Sequence, residues 1–318
     1  MFRFEYFLSD YIFKIANFDE DYLGSAFNNE GYYDMYNYGK TVLKPATAEA
    51  VRTRRRADIR KEGTSYVYEF CITPTIGFLS SPLPLYKDCE IKLSFDRAKA
   101  ATSVVEVVDG GVLPDYFTIK NVFAETEYVS SPALRSYFEK IDRAPLVYKF
   151  EEIEIIVKSL PNDETNIRLD NIYGGNTPNY LFAGIIPTAN LAGTKESCST
   201  YFSQNGVTEF NLTLNGSSVN GFPLHSPNKS CIFPLTKFLD TTGKMYRLGV
   251  GKTLSTIDFK CSYLWSHRFE AEETTSGWLG VELKAENVIS TASSIVIFMI
   301  KSSAITIDKF RSIEKLQL

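Results

Sequence analysis

Apolar and polar residues alternate with a period of two along much of the chain, which is the spacing of β-strands that turn one face toward a core. In the first half the alternating apolar positions are Tyr66, Tyr68 and Phe70, then Ile91, Leu93 and Phe95, then Phe117 and Ile119. Proline and glycine residues between these segments mark turns. The pattern therefore predicts an all-β protein in which most strands bury one face.

The second half, from Val147 to Ile313, is predicted to be a series of short strands joined by turns. The predicted strands are residues 150–157, 180–186, 210–214, 257–259, 263–265, 278–283 and 295–300, and turns are predicted at residues 161–166 and 173–179. The strand at residues 180–186 is apolar on both faces, so we expect it at the centre of a sheet. Asn215 followed by Gly216 predicts a tight turn. About eight strands with long connections favour a jelly-roll sandwich over a meander.

Short helices are predicted at a few places only. The longest covers residues 46–62, where Pro45 precedes an alanine-rich segment and Gly63 follows it. Another covers residues 131–141, with Ser131 as the N-cap, and residues 234–240 are predicted to form a helical turn. Because only one long helix is predicted, the pattern disfavours folds built from βαβ units.

The predicted helix at residues 46–62 carries a cluster of basic residues. The cluster consists of Arg52, Arg54, Arg55, Arg56, Arg60 and Lys61. A basic helix can contact nucleic acid, but it can also form a solvated face or a contact between subunits. The whole chain has a formal net charge of −4, which gives no global attraction to nucleic acid. A solvated face or a subunit contact is therefore the preferred interpretation.

The composition sets the size of the protein and its expected compartment. The 318 residues, 44% of them apolar, suffice for two β-domains of about 150 residues each. Five cysteines, an odd number without a CxxC motif, favour free thiols in a reducing compartment. Residues 1–13 include Arg3, Glu5 and Asp10, so they lack the apolar core of a signal peptide. We expect a protein that is not secreted, and one without a membrane span, since the longest apolar run covers only residues 295–300.

Residue patterns typical of catalysis or cofactor binding are weak. His225 and His267 are the only histidines, and neither has metal-binding spacing or a local signature that pairs it with a cysteine nucleophile. The run GVGKT at residues 249–253 lacks the earlier glycine of a phosphate-binding loop, because Tyr246 occupies that position. We therefore expect no catalytic residue, no metal and no cofactor.

Clustered carboxylates and the two tryptophans keep a carbohydrate site among the alternatives. Glu151, Glu152 and Glu154 are clustered, and a glycosidase needs two carboxylates that face each other. Trp265 or Trp278 could line a sugar platform, although core packing and interface contacts are commoner roles for tryptophan. Charged loop faces are likewise commoner than paired catalytic carboxylates.

A set of segments spread along the chain carries a family resemblance. In the second half the segments are FEEIEIIV (Phe150–Val157), LFAGIIPTANLAG (Leu181–Gly193), FNLTLNG (Phe210–Gly216), YRLG (Tyr246–Gly249), GWLGVEL (Gly277–Leu283) and SIVIFMIKSSAITIDK (Ser294–Lys309). In the first half they are NNEGYYDMYNYG (Asn28–Gly39), FLSSPLPLYKDCEIKLSFDRA (Phe78–Ala98) and residues 117–137. Together they resemble the double jelly-roll major capsid proteins of Polinton/Maverick (adintovirus-like) elements. KCSYLWSH at residues 260–267 departs from the family, which has an acidic, proline-containing stretch there.

The resemblance implies an all-β fold of two jelly-roll β-sandwiches side by side with short helices. The first domain would cover residues 1–145 and the second residues 146–318. Family members have more sequence ahead of Asn28, so we expect the first jelly roll to be either incomplete or rebuilt from the N-terminal residues.

The resemblance also implies a structural capsid protein and its partners. The chain would form homotrimeric, pseudo-hexameric capsomers of an icosahedral shell, in contact with neighbouring capsomers and with a penton or minor capsid protein. The basic cluster would then contact the packaged genome or an adjacent subunit. The expected location is the virion, assembled in the nucleus or cytoplasm of a host cell.

A second function stays open beside the capsid role. It is a jelly-roll binding module that recognises carbohydrate or protein, including a domesticated relative of a capsid protein. A stable trimer would favour the capsid role, whereas a monomer with an open, aromatic-lined cleft would favour the binding module. An enzyme ranks last, because no catalytic motif supports it.

Overall fold

The described chain is mainly β-sheet with a few short helices, which confirms the predicted fold class. The computed structural model describes residues 60–63, 65–67, 92, 121–123, 130–191, 202–226, 230–243, 245, 256–260, 263–269, 276–289 and 291–317. The predicted strands at residues 91–95 and 117–119 fall almost entirely outside these ranges. The division into domains at residues 1–145 and 146–318 stays a prediction.

A short hairpin replaces the end of the helix predicted at residues 46–62. Strand β1 (Arg60–Glu62) pairs with β2 (Ser65–Val67), with Arg60 opposite Val67. Gly63, which we expected to end a helix, has a φ of 64° and begins the two-residue turn between the strands. The prediction is wrong for these last three residues, because pairing with the following strand outweighs local helix propensity. The rest of the predicted helix lies outside the described residues.

Ten further strands form two antiparallel sheets. The first, which we call the covered sheet, contains β3 (Leu146–Ser159), β5 (Tyr180–Pro187), β9 (Trp265–Arg268), β11 (Ser293–Ile307) and β12 (Ile313–Gln317). The second, which we call the open sheet, contains β4 (Asn166–Asn176), β6 (Val207–Leu214), β7 (Ser217–Ser218), β8 (Leu224–His225) and β10 (Ser276–Ala285). The helices are α1 (Pro132–Phe138), a 3-10 helix (Glu139–Asp142), α2 (Thr188–Leu191), α3 (Ile232–Thr241) and α4 (Thr256–Phe259).

The order of the strands is that of a jelly roll. From β3 to β6, and again from β9 to β11, each chain connection crosses from one sheet to the other. In the covered sheet β11 is central: it pairs with β3 along one edge and with β5 and β12 along the other. In the open sheet β10 lies between β4 and β6. Two facing antiparallel sheets linked in this alternating manner are the jelly-roll arrangement expected from the sequence.

The central strands of the covered sheet, β5 and β11, are largely buried on both faces. All residues of β5 except its two ends are buried, as the prediction for residues 180–186 requires. Ala183 pairs with Trp265, whose ring stacks on Phe210 of the open sheet with centroids 5.2 Å apart. The neighbouring Phe182 points to the opposite face, where its ring lies 5.7 Å from that of Phe238 in α3. One face therefore packs on the open sheet and the other under a helix.

The open sheet buries only one face. Phe210 and Leu212 are buried, while Asn211 between them is half-exposed. In β10 the buried Val281 and Leu283 flank the half-buried Glu282. The alternation of a strand that buries one face thus holds for residues 210–212, whereas Thr213 is buried and Leu214 half-buried.

A small separate core lies at the far ends of β3 and β11. Leu146, Tyr148 and Ile307 pack there with Ile141 of the 3-10 helix. Helix α1 precedes this core and begins as predicted, with Ser131 as the N-cap that accepts a hydrogen bond from the main-chain nitrogen of Ala133. The helix closes this end of the covered sheet.

Several element predictions in the second half need correction. Residues 257–259 belong to α4 and not to a strand, because Phe259 packs on the rings of Phe238 and Tyr263 at the edge of the sandwich. Short apolar runs do not by themselves distinguish strand from helix. Residues 173–176, predicted as part of a turn, continue β4, a strand that the sequence did not predict. The helical turn predicted at residues 234–240 is confirmed as part of the longer α3.

Candidate functional site

Most of the predicted basic cluster falls outside the described residues. Arg52, Arg54, Arg55 and Arg56 lie there, while Arg60 and Lys61 belong to β1. Arg60 is exposed to solvent. The role of the cluster in nucleic-acid or subunit contact stays a prediction.

The two histidines lie in different sheets. His225 in β8 faces Glu209, with Nδ1 3.8 Å from Oε1. His267 in β9 is buried, and its ring makes an edge contact with that of Phe269 at 4.6 Å between centroids. Burial, together with the charge of Lys237, lowers the pKa of His267 to about 4. His267 is therefore a neutral core residue at neutral pH.

Cys231 is the cysteine that the described residues include, and its thiol is free and buried. Its Sγ donates a hydrogen bond to the carbonyl oxygen of Thr256 at 3.4 Å. This is the buried free thiol that the sequence predicts. The other four cysteines and the GVGKT run at residues 249–253 lie outside the described residues.

The clustered carboxylates of β3 tie strands together. Lys315 of β12 donates a hydrogen bond to Glu152 Oε1 at 2.7 Å, and Lys301 of β11 donates one to Glu154. Lys301 also lies 4.4 Å from the centroid of the Tyr173 ring. Burial lowers the pKa of Lys301, but hydrogen bonds to Glu154 and Tyr173 outweigh this and raise it overall. Both carboxylates therefore neutralise lysines between strands.

Metal ligands do not converge in the described ranges. No group of three His, Cys, Asp or Glu side chains there has the arrangement that could hold an ion. None of the helices that the structure describes has the length and hydrophobicity needed to cross a bilayer.

The regular pairing of the open sheet is interrupted by a bulge between β4 and β10. Leu279 pairs with Tyr173 and Val281 pairs with Leu169, so three residues of β4 lie opposite the single Gly280. The middle one of the three, Asn171, has a φ of 51°. Asparagine is one of the few residues that tolerate this left-handed conformation. Bulges re-aim side chains and are common next to binding sites.

The bulge opens a cleft on the solvent face of the open sheet. Its lining consists of Arg168, Asp170, Asn171, Thr213, Asn215, Gly216, Trp278 and Gly280. A Cβ atom at Gly280 would lie 2.7 Å from Thr213 Oγ1 and 3.1 Å from the carbonyl oxygen of Leu169. Only glycine at this position leaves the floor of the cleft open.

Trp278 forms one side of the cleft, and 59% of its surface is exposed. A Cβ atom at Gly174 would overlap the six-membered ring of this indole, so the ring packs directly on the main chain of β4. The main-chain nitrogen of Trp278 donates a hydrogen bond to Asn215 Oδ1 at 2.9 Å. Asn215 and Gly216 have φ values of 53° and 81°, which confirms the predicted tight turn. The turn and the glycine together fix the position of the indole.

A chain of polar contacts leads across the open sheet to the cleft. Ser218 Oγ donates to Asn211 Oδ1 at 2.6 Å, and Asn211 Nδ2 donates to Glu282 Oε2 at 2.9 Å. Arg168 lies between Glu282, at 3.5 Å, and Asp170, whose Oδ1 accepts from Arg168 Nε at 2.8 Å. The hydrogen bond and charge of Asp170, with the charge of Glu282, raise the pKa of the Arg168 guanidinium. These contacts orient Arg168 and Asp170 at the mouth of the cleft.

The sequence indicated only part of this arrangement. Trp278 was one of two candidates for a sugar platform, and the structure separates them, since Trp265 is fully buried. The strand that supplies Asp170 and Asn171 was not predicted. A signal for it exists in the alternation of Ile167 and Leu169 with polar residues, which the bulge interrupts before Ile172. The cleft combines an aromatic surface with hydrogen-bond donors and acceptors, so it can hold a polar ligand but has no nucleophile and base in contact.

Similarity to known proteins was found among solved structures. No protein-family model matches the sequence. No curated protein matches it either. A chain of the Sputnik virophage, solved by cryo-EM at 3.5 Å, is 12% identical over 54% of this chain and 39% of that one, with a TM-score of 0.34.

Two further solved structures are similar to a comparable degree. A chain of the PBCV-1 virus capsid, in a quasi-atomic model, is 12% identical over 59% of this chain and 55% of that one, with a TM-score of 0.37. The mavirus major capsid protein is 11% identical over 54% of this chain and 41% of that one, with a TM-score of 0.29. The matched region thus spans between 39% and 55% of the length of these three chains.

Proposed function

We propose that this chain is a structural subunit of a viral capsid. The observation that carries the proposal is the jelly-roll strand order, in which β3, β11, β5 and β9 lie side by side and face β4, β10 and β6. Jelly rolls recur in capsid subunits because two packed sheets make a rigid block with loops at its ends. The resemblance of the sequence to Polinton/Maverick major capsid proteins supports the same role.

Exposed apolar side chains at the periphery of the sandwich supply surfaces for subunit contacts. Phe310 in the turn between β11 and β12 is 79% exposed, and Ile313 at the start of β12 is 66% exposed. Phe222, ahead of β8, and Ile232, the first residue of α3, are 60% and 67% exposed. Large apolar groups in solvent are typical of surfaces that pack against other molecules. In a shell they would contact neighbouring subunits.

The finer form of the proposal is a homotrimer with pseudo-hexagonal outline. Two jelly rolls in each chain, one within residues 1–145 and one within residues 146–318, would give six pillars around a threefold axis. Such capsomers would meet one another and a penton or minor capsid protein in the virion. The basic cluster from Arg52 to Lys61 would contact the packaged genome or the adjacent subunit.

Size-exclusion chromatography with light scattering tests this function. We expect a stable species of three times the 35.9 kDa chain mass, because obligate capsid interfaces bury large areas. A monomer at all concentrations would contradict the capsid role and favour an isolated binding module. In the same assay, replacement of Arg54, Arg55 and Arg56 by alanine should preserve folding but reduce either the trimer fraction or retained nucleic acid. Unchanged values of both would contradict the role of the basic cluster.

A further inference from the structure

The cleft around Trp278 has features that a purely structural capsid role does not require. Here the sheet is bulged, glycine replaces side chains on the floor, and a large indole is left in solvent. We propose that this cleft is a binding site for a neutral saccharide. The site goes beyond the proposed capsid function and does not depend on assembly of the chain.

The indole of Trp278 has the properties of a sugar-stacking surface. It is 59% exposed, yet the main chain of Gly174 supports it from beneath. The main-chain nitrogen of Trp278 donates a hydrogen bond to Asn215 Oδ1, which fixes the backbone that carries the indole. A fixed aromatic surface loses little entropy when a ligand covers it. The apolar C–H face of a pyranose ring can pack on such a surface. Its C–H hydrogens are weakly positive, and the face of the indole is negative.

The polar groups around the indole suit hydroxyl groups of a sugar. The amide of Asn171 offers a donor and an acceptor, and Asn215 offers its Nδ2 as a donor, since its Oδ1 accepts from the main chain of Trp278. Sugar hydroxyls both donate and accept, so they can pair with these groups, while Thr213, only 5% exposed, lies at the floor. Asp170 uses Oδ1 for Arg168, which leaves the second carboxylate oxygen to accept from a hydroxyl. Arg168 is held between two carboxylates, so its remaining N–H groups have a fixed direction. A ligand with neighbouring hydroxyls can therefore satisfy several groups at once.

The charge at the cleft disfavours a nucleic acid as the ligand. A single guanidinium, that of Arg168, is accompanied by the carboxylates of Asp170 and Glu282. Binding of a phosphate backbone depends on an excess of positive side chains, and these three groups sum to a negative charge. A base could stack on Trp278, but its phosphates would meet carboxylates. A neutral ligand avoids this repulsion.

Intrinsic fluorescence provides a direct test, because the chain has two tryptophans and Trp265 is fully buried. The probes are the methyl glycosides of glucose, galactose, mannose and N-acetylglucosamine, added to the chain of 318 residues. We expect a saturable change in the emission of Trp278 with at least one of them, at a Kd on the order of millimolar because the cleft is open. Saturation-transfer NMR on the same mixtures should show contact through the C–H protons of one sugar face.

Variants separate stacking from nonspecific effects. By NMR, Trp278→Ala should weaken binding about tenfold or more, since loss of a stacked aromatic is worth about that factor. Asp170→Asn keeps the shape of the cleft and should weaken binding about fivefold by the loss of a charged acceptor. The matched control is Phe222→Ala, which removes another exposed aromatic and should leave binding unchanged.

The outcomes that would overturn the proposal are equally definite. They are the absence of saturable binding by every glycoside, equal loss in Trp278→Ala and Phe222→Ala, or binding of a thymidine oligonucleotide in preference to the glycosides. The oligomeric state is measured separately. Absence of sugar binding would therefore contradict the saccharide site but not the capsid proposal, and a monomer that binds sugar would contradict the capsid proposal but not the site.

Discussion

Replacement of His267 by leucine should remove a large part of the acid sensitivity of the sandwich. His267 lies in β9, opposite Leu181, and only 7% of its surface is exposed. Burial disfavours the charged imidazolium, and the positive charge of Lys237 adds to this effect, so the pKa falls from 6.5 to about 4. Leucine cannot take up a proton, and it retains the apolar contact with Phe269.

The sign and size of the effect follow from the two pKa values. The pKa in the folded protein is below that in the unfolded chain, so between these values only the unfolded chain binds the proton. The stabilising contribution of neutral His267 is complete above about pH 6.5. It is lost progressively as the pH falls toward about 4 and is constant below that. A shift of this size is worth about 3 kcal/mol in all, of which roughly 2 kcal/mol is lost between pH 7 and pH 4.5.

Urea unfolding at several pH values, followed by tryptophan fluorescence, measures this loss. We expect the free energy of unfolding of the wild type to fall by roughly 2 kcal/mol more than that of His267→Leu between pH 7 and pH 4.5. His225→Leu removes an exposed histidine of the open sheet and serves as the control. The reasoning would be refuted if wild type and His267→Leu lost equal stability over this range.

Two further substitutions test the packing of the sandwich. A Cβ atom at Gly184 would lie 2.5 Å from Phe202 Cδ1. Gly184→Ala should therefore lower the free energy of unfolding, measured in urea, by roughly 1–3 kcal/mol. An unchanged urea midpoint would show that the Phe202 ring has room to move. Trp265→Ala removes a fully buried indole stacked on Phe210 and should cost roughly 3–5 kcal/mol, whereas Trp278→Ala on the surface should cost less than about 1 kcal/mol. Equal losses in the two tryptophan variants would contradict the assignment of one to the core and the other to the cleft.

Features that depend on neighbouring residues in the chain could be predicted from the sequence. Ser131 caps α1 because its side chain reaches a main-chain nitrogen two residues later. Asn215 and Gly216 turn the chain because both accept a positive φ. The apolar run in β5 indicated a strand buried on both faces, since no polar side chain in it needed solvent.

Elements whose form depends on distant partners were mispredicted or missed. Arg60–Glu62 is a strand because it pairs with β2, although its composition continues a helical pattern. Residues 256–259 are helical because Phe259 fills a site beside α3. Strand β4 was missed because its bulge breaks the period of two, and that period is the signal on which strand prediction depends.

The pattern of residues alone indicates a chain dominated by strands and a second half that forms a sandwich, and it shows no recognisable catalytic motif. It could not assign roles to its two tryptophans, which both lie in strand-like segments. Strand pairing distinguishes them, because it places Trp265 opposite Ala183 and against Phe210, whereas it places Trp278 over Gly174 at the solvent face. Burial depends on what a strand faces across the sheet, and contacts of that kind join residues far apart in the chain.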